Sequence, residues 1–300
     1  MLSIDALNER FAIRDVVRFD RGNGGLAKLS INSPAVTGEI YIHGAHVTLF
    51  QPPGQQQPVL FLSSRNHYET GKPIRGGVPI IFPWFGPRAD DSSAPMHGIV
   101  RTREWQVESV AETGAGVRAV MTLTSDDQTR AAWPHDFHLR FRVTFAAALT
   151  MELEVTNTSR ESFTFEEALH TYFSVADIRS AAIDGLGSSE YLDKEKGNGR
   201  FRQPEGLLKL TGVTDRVYVN TPATCTIDDP GNRRRITIAK EHSASTVVWN
   251  PWAEKIKTMA DLDPADWTKY LCIETCNVKE NAVTLAAGQS HTMRAVISVA

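Results

Sequence analysis

Alternation is the feature that most limits what this chain can fold into. Between residues 137 and 147, Phe137, Leu139, Phe141, Val143 and Phe145 take every second position, with His138, Arg140, Arg142 and Thr144 between them. Side chains on an extended backbone point alternately to opposite faces, so the pattern describes a strand with one buried and one solvated face. Residues 151–156 repeat it after a tight connection, with Met151, Leu153 and Val155 opposing Glu152 and Glu154. The two segments predict a hairpin whose arginines and glutamates meet across the strands, at roughly a few tenths of a kcal/mol per pair.

The same reading predicts strands over residues 26–31, 38–50, 58–62, 105–112, 116–124, 163–175, 216–220, 224–228, 235–239, 245–249, 270–278, 282–286 and 291–299. Glycine- and proline-rich breaks such as Gly22-Asn23-Gly24-Gly25 and Gln51-Pro52-Pro53-Gly54 separate them. The Gly22–25 cluster is similar to a phosphate loop in composition, but it precedes a strand and not a helix, so it is a turn. Helix is expected only over residues 3–11, opened by Ser3, and over 253–262, ended by Asp263-Pro264. Residues 178–203 read as a long loop. Many short strands in 300 residues, with no compositional break that would mark a linker, predict an all-β fold: one large antiparallel β-sandwich over residues 1–300.

Composition excludes several function classes. The net charge is −3, and the only basic run, Arg233-Arg234-Arg235, follows the turn signal Pro230-Gly231-Asn232, so no nucleic-acid partner is expected. No apolar stretch approaches the length of a membrane span, and the first ten residues lack the basic start and apolar core of a signal peptide. Three cysteines, Cys225, Cys272 and Cys276, are too few and odd in number for a disulfide framework. They read as reduced, buried thiols of a cytoplasmic protein. Cys272 and Cys276 have no Cys or His beside them at metal-ligand spacing, and no metal is expected.

The run from Pro73 to Trp105 departs from alternation. Pro79, Pro83 and Pro87 fall within nine residues, which forbids a helix interior and interrupts any central strand. A rigid irregular crossing is predicted, carrying Arg75, Arg88, His97 and Arg101. Gly76-Gly77 lets a backbone or a ligand come close to the Arg75 guanidinium. Arginine forks match carboxylate or phosphate oxygens, which suits a binding edge.

Two further positions stand out. His170 lies on the even-numbered face of residues 163–175, with Thr164, Glu166, Tyr172 and Ser174. Glu274 sits in Leu271-Cys272-Ile273-Glu274-Thr275-Cys276, where its face-mates are Cys272, Cys276 and Val278. A carboxylate in apolar company is either paired or working, and desolvation raises its pKa toward that of a usable general base. His43 and His46 fall on opposite faces of a strand and read as structural.

Together these segments resemble the hexose-6-phosphate mutarotases, or glucose-6-phosphate 1-epimerases, a branch of the aldose 1-epimerase superfamily. The resemblance rests on Arg75-Gly76-Gly77-Val78-Pro79, Pro83-Trp84-Phe85-Gly86, His97-Gly98-Ile99-Val100-Arg101 with Trp105, and Glu167-Ala168-Leu169-His170-Thr171-Tyr172-Phe173. It continues through Thr214-Asp215-Arg216-Val217-Tyr218, Val248-Trp249-Asn250-Pro251-Trp252 and Cys272-Ile273-Glu274, and covers roughly residues 36–299. It implies a galactose-mutarotase-like supersandwich with an open concave face. It implies His170 and Glu274 as the catalytic pair, and Arg75, His97, Arg101 and Asp215 as substrate-binding residues, the arginines serving the phosphate. Met96 before His97-Gly98, and Ile99-Val100 in place of the commoner Phe-Ala, depart from the family pattern and bear on sugar selectivity.

The implied reaction interconverts the α and β anomers of a hexose 6-phosphate, glucose 6-phosphate first among them. Glu274 as carboxylate takes the anomeric proton while His170 as imidazolium protonates the ring oxygen from the opposite side. Closure after rotation about C1–C2 reverses the roles. The chemistry needs no redox partner or metal, so no cofactor is expected, and the chain is expected to act as a monomer. The rival readings are a mutarotase of free aldoses or of another hexose phosphate, a non-catalytic sugar-phosphate-binding protein, and the β-sandwich portion of a polysaccharide-processing enzyme.

Overall fold

A computed structural model describes residues 2–300. Two eight-stranded antiparallel sheets dominate it. The first runs, in spatial order, Gly199–Arg202, Glu190–Asp193, Thr214–Tyr218, Ser245–Asn250, Tyr270–Asn277, Glu167–Leu169 and Ile80–Ile81, and Tyr172–Ser174 also pairs with Tyr270–Asn277. The second runs Ala182–Asp184, Cys225–Asp229, Arg234–Glu241, Ser290–Val299, Leu149–Asn157, Phe137–Phe145, Gly116–Thr124 and Gln106–Thr113. A four-stranded N-terminal sheet packs into the same apolar core through Phe19, Leu29, Ile31 and Phe50. The all-β sandwich expected from alternation is the observed fold.

The two large sheets meet through one layer of side chains. Phe141, Val143, Leu153, Met293 and Ile297 from the second sheet share a cluster with Leu169, Phe173, Val248, Leu271 and Ile273 from the first. Burying each such side chain contributes about 1.5–3 kcal/mol. The period-two rule then sends the other face of the first sheet away from this layer, so Asp215, Val247, Trp249, Cys272, Glu274 and Cys276 lie on the outer, concave side. The hairpin of Phe137–Phe145 and Leu149–Asn157 has the burial pattern that alternation predicts, and Arg142 meets Glu154 across it at 2.5 Å.

The structure corrects several boundaries. The strand expected over 38–50 is two strands, Val36–Tyr41 and His46–Gln51, separated by a turn in which Gly44 and Ala45 take positive φ. Residues 58–62 make only isolated bridges. The strand expected over 163–175 is three short pieces, 163–165, 167–169 and 172–174. At Glu166 the chain changes partners, from 283–285 to 275–277: its N–H donates to the Pro83 carbonyl at 2.8 Å, and its carboxylate accepts the Phe85 and Lys279 backbone N–H groups, at 2.8 and 2.7 Å. Residues 178–203, expected as loop, contain three strands, and their alternation was hidden by the Gly, Ser and Lys content. The helix expected over 253–262 is one α turn, Trp252–Lys255, followed by a 3-10 turn. The N-terminal helix Ile4–Phe11 is present, and the Ser3 hydroxyl accepts from the Ala6 N–H.

Candidate active site

The site follows from strand register. In the pairing of 167–169 and 172–174 with Tyr270–Asn277, Leu169 faces Thr275 and Tyr172 faces Cys272. Continuing that register through the interruption sets His170 opposite Glu274. Side chains opposite one another on one face of an antiparallel pair are nearest neighbours, and His170 Nε2 lies 3.3 Å from Glu274 Oε1. The His170 N–H donates to the Pro79 carbonyl at 3.0 Å, so the proline-rich crossing fixes the backbone that carries the imidazole. The next row of the sheet holds Asp215, Trp249, Cys272 and Tyr172.

These residues line a pocket of about 480 Å³ together with Arg75, Phe85, Met96, His97, Arg101, Lys194, Lys255 and Met259. Every residue the sequence singled out for substrate or catalysis thus borders one hollow. A roomier groove of about 840 Å³ crosses the N-terminal sheet, but its carboxylates are already paired with cations, Glu39 with Lys28 at 2.6 Å and Asp20 with Arg18 at 3.1 Å.

Aromatic rings wall the acid–base pair. Tyr172 stacks on His170 with centroids 4.9 Å apart, while Trp249 and His97 meet His170 edge-on. Burial pushes the Glu274 carboxyl well above the usual carboxylate range. Burial, then the charges of Arg101 and Arg75, push His170 well below its ordinary value. Both shifts run against the carboxylate and imidazolium forms expected from the sequence. The two groups also adjoin one another instead of flanking a sugar from opposite sides. Both oxygens of a hemiacetal sit on one carbon, so adjacent groups reach both.

His97 is held from below. Its N–H donates to the Gly86 carbonyl at 2.8 Å, and its Nδ1 accepts the Gly86 N–H at 3.2 Å. Burial, with the Arg101 charge, pushes its pKa down, and because Nδ1 accepts from Gly86 the neutral ring carries its proton on Nε2 as a donor. A Cβ on Gly98, at φ +73°, would lie 2.0 Å from the Phe82 carbonyl oxygen, which explains why glycine follows His97.

The two arginines differ. Arg75 donates from Nε to Asp261 at 2.9 Å and from Nη1 to the Tyr172 hydroxyl at 3.0 Å. Burial opposes its charge, but Tyr172 and Asp261 outweigh burial and hold it firmly protonated. Arg101 donates from Nη2 to the Met96 carbonyl at 2.8 Å, and burial followed by the Arg75 charge pushes its pKa down to about 10. Gly76 and Gly77 serve the backbone and not a ligand: Cβ atoms there would lie 2.5 Å from Phe61 O and 2.3 Å from Val47 O.

Asp215 meets Lys194 at 3.2 Å, and burial raises its pKa. Lys194 belongs to the segment read as a long loop. It caps the pocket from a 3-10 turn and lies 4.7 Å over the Phe85 ring. Lys194 and Asp261 carried no sequence signal, because loops distant in the chain bring them in. Tyr172 had one, standing two residues from His170 on the same face. His43 and His46 are structural, each bonded through Nε2 to a backbone carbonyl at 2.7 Å, but His43 lies in the turn and His46 opens the following strand, so they do not share one strand. Cys272, read as having no histidine at ligand spacing, groups with His170 and Glu274, the three ligand atoms within 4.8 Å of one another. Spacing along a chain cannot reveal a cross-strand neighbour.

Comparison with known proteins agrees with the geometry. A family model described as "Aldose 1-epimerase" matches residues 27–298. A protein of Escherichia coli K12 named "Putative glucose-6-phosphate 1-epimerase" is 32% identical over 266 residues, 89% of this chain and 88% of its own length. A plant protein of the same name, from Cenchrus ciliaris, is 32% identical over 269 residues, 87% of this chain and 80% of its own. A crystal structure of a "putative mutarotase" from Salmonella typhimurium superposes with a TM-score of 0.90 at 30% identity, covering 97% of this chain and 95% of that one.

Proposed function

The chain belongs to the aldose 1-epimerase family, a family of isomerases, and from that premise we propose that it interconverts the anomers of a hexose 6-phosphate, foremost glucose 6-phosphate. The observation that carries this reading is the 3.3 Å approach of His170 Nε2 to Glu274 Oε1 in a pocket that also presents Arg75 and Arg101. The pair shares one proton. A protonated carboxyl beside a neutral imidazole holds the same count as a carboxylate beside an imidazolium, and the contact lets one form pass into the other.

One member accepts the anomeric hydroxyl proton while the other donates to the ring oxygen. The C1–O5 bond breaks, the aldehyde forms, C1–C2 rotates, and closure returns both protons. A dianionic phosphate held at Arg101 and Arg75 offsets the cationic field that keeps His170 neutral, and so favours the imidazolium form for ring opening. Each general acid or base contributes ~10²–10⁴-fold. His97 Nε2–H and the Asp215–Lys194 pair supply donors and acceptors for the sugar hydroxyls, and Trp249 a flat apolar face. No electron changes hands, so the mechanism includes no cofactor. Three buried free thiols suit the cytoplasm.

Magnetisation transfer between the α and β signals of glucose 6-phosphate tests the proposal. Faster exchange than with buffer alone, and faster than for free glucose at equal concentration, is expected. Binding of the sugar phosphate without faster exchange would overturn it in favour of a binding protein.

A further inference from the structure

His170, Cys272 and Glu274 form the one group of three metal-ligating side chains found close together among the described residues, and all three are buried. Cys272 has no part in the proton transfers above. His170 Nδ1 and Glu274 Oε2 are buried and have no hydrogen-bond partner. A buried polar atom without a partner is costly, and a site with two of them is incompletely satisfied by the protein alone.

We propose that this triad is a binding site for a thiophilic divalent cation, of which Zn²⁺ is the model, and that its occupation silences the acid–base pair. The ligand types are those of zinc: an imidazole nitrogen, a thiolate sulfur and a carboxylate oxygen. Zinc holds such atoms at roughly 2.0–2.3 Å, which puts tetrahedral ligands roughly 3.3–3.8 Å apart. The nearest imidazole and carboxylate atoms, Nε2 and Oε1 and not the unpartnered Nδ1 and Oε2, are 3.3 Å apart, and the ligand atoms of the three residues lie within 4.8 Å of one another. A side-chain adjustment of about 1 Å closes the site. The pocket side of the pair leaves the fourth position to water.

Nearby charge is less hostile to a cation than the basic residues suggest. Asp261 offsets Arg75, Asp215 offsets Lys194 and Glu195 offsets Lys255, which leaves Arg101 and Lys279 as the pocket cations opposing the ion. Binding is an exchange of charge. The ion enters, the Cys272 proton and the one proton shared by His170 and Glu274 pass to solvent, and thiolate, carboxylate and an imidazole lone pair ligate. Hard ions such as Mg²⁺ gain nothing from a thiolate and do not compete.

The inference goes beyond the anomerase reading, and Co²⁺ titration of the purified protein tests it without any assay of turnover. A thiolate-to-cobalt charge-transfer band, abolished by added Zn²⁺, is expected. Cys272→Ala and Cys272→Ser should lose the band and raise the Zn²⁺ concentration for half-inhibition of anomer exchange by at least about tenfold, since even outer-shell changes around zinc cost that much affinity. Cys276→Ala should keep both. A zinc K-edge spectrum of the unaltered protein, expected to report one sulfur among nitrogen and oxygen ligands, decides the matter if the Cys272 variants do not fold. No sulfur in that spectrum, no charge-transfer band, or unchanged Zn²⁺ sensitivity in a folded Cys272 variant would each overturn the proposal.

Discussion

Arg101 keeps most of its donors free, with Nη2 bonded to the Met96 carbonyl, whereas Arg75 is tied to Asp261 and Tyr172. The same substitution should therefore read differently at the two positions. Arg101→Ala is expected to raise KM for glucose 6-phosphate about ten- to hundredfold, because hydrogen bonds to charged groups contribute roughly 1.5–3 kcal/mol. Its rate on free glucose should not fall, since losing the Arg101 charge eases protonation of His170, and an equal loss on both substrates would contradict a phosphate role. Arg75→Ala should also weaken phosphate binding, but it strands the Asp261 carboxylate and should lower stability by about 1–3 kcal/mol, read in thermal melting. Both arginines were visible in the sequence as residue types beside glycine and proline. Their difference was not, because Asp261 lies far along the chain in a loop.

At the scale of elements, the ladder between Glu167–Leu169 and Tyr270–Asn277 positions the acid–base pair, and the crossing around His97 closes over it. Gly98→Ala tests the crossing. A Cβ there would lie 2.0 Å from the Phe82 carbonyl oxygen at a backbone of φ +73°. Strain of at least about 1–3 kcal/mol should appear as lower melting stability, with KM raised through displaced His97. Wild-type stability and KM in that variant would contradict this account of the glycine. The long strands were legible because Phe137, Leu139 and Phe141 alternate without exception. Residues 163–175 misled for the opposite reason, since Glu166 alternates correctly as a residue type and yet marks the point where the chain passes from one partner strand to another, its N–H bonded to Pro83.

For the whole molecule, the buried His46 couples stability to pH. Burial, opposed by its bond to the Gly76 carbonyl, pushes its pKa down to about 3 from an ordinary 6.5. Between those values the unfolded chain binds the proton and the folded one does not. Stability should fall as pH drops through that window, by up to about 1.4 kcal/mol per pH unit from this group. Calorimetry from pH 7 to 4 checks this, and His46→Gln, which keeps a donor for Gly76, should flatten the slope. The sandwich and the meeting of His170 with Glu274 could be anticipated from alternation and motif order. The size of the opposing shifts at the two groups could not, because that depends on how deeply the pocket buries them. The account stands on this pair, and the most direct test is the kcat for anomer exchange of glucose 6-phosphate in Glu274→Gln and His170→Asn, each with melting behaviour unchanged. A fall of about 10²–10⁴-fold in each is expected, and wild-type turnover in either folded variant would contradict it.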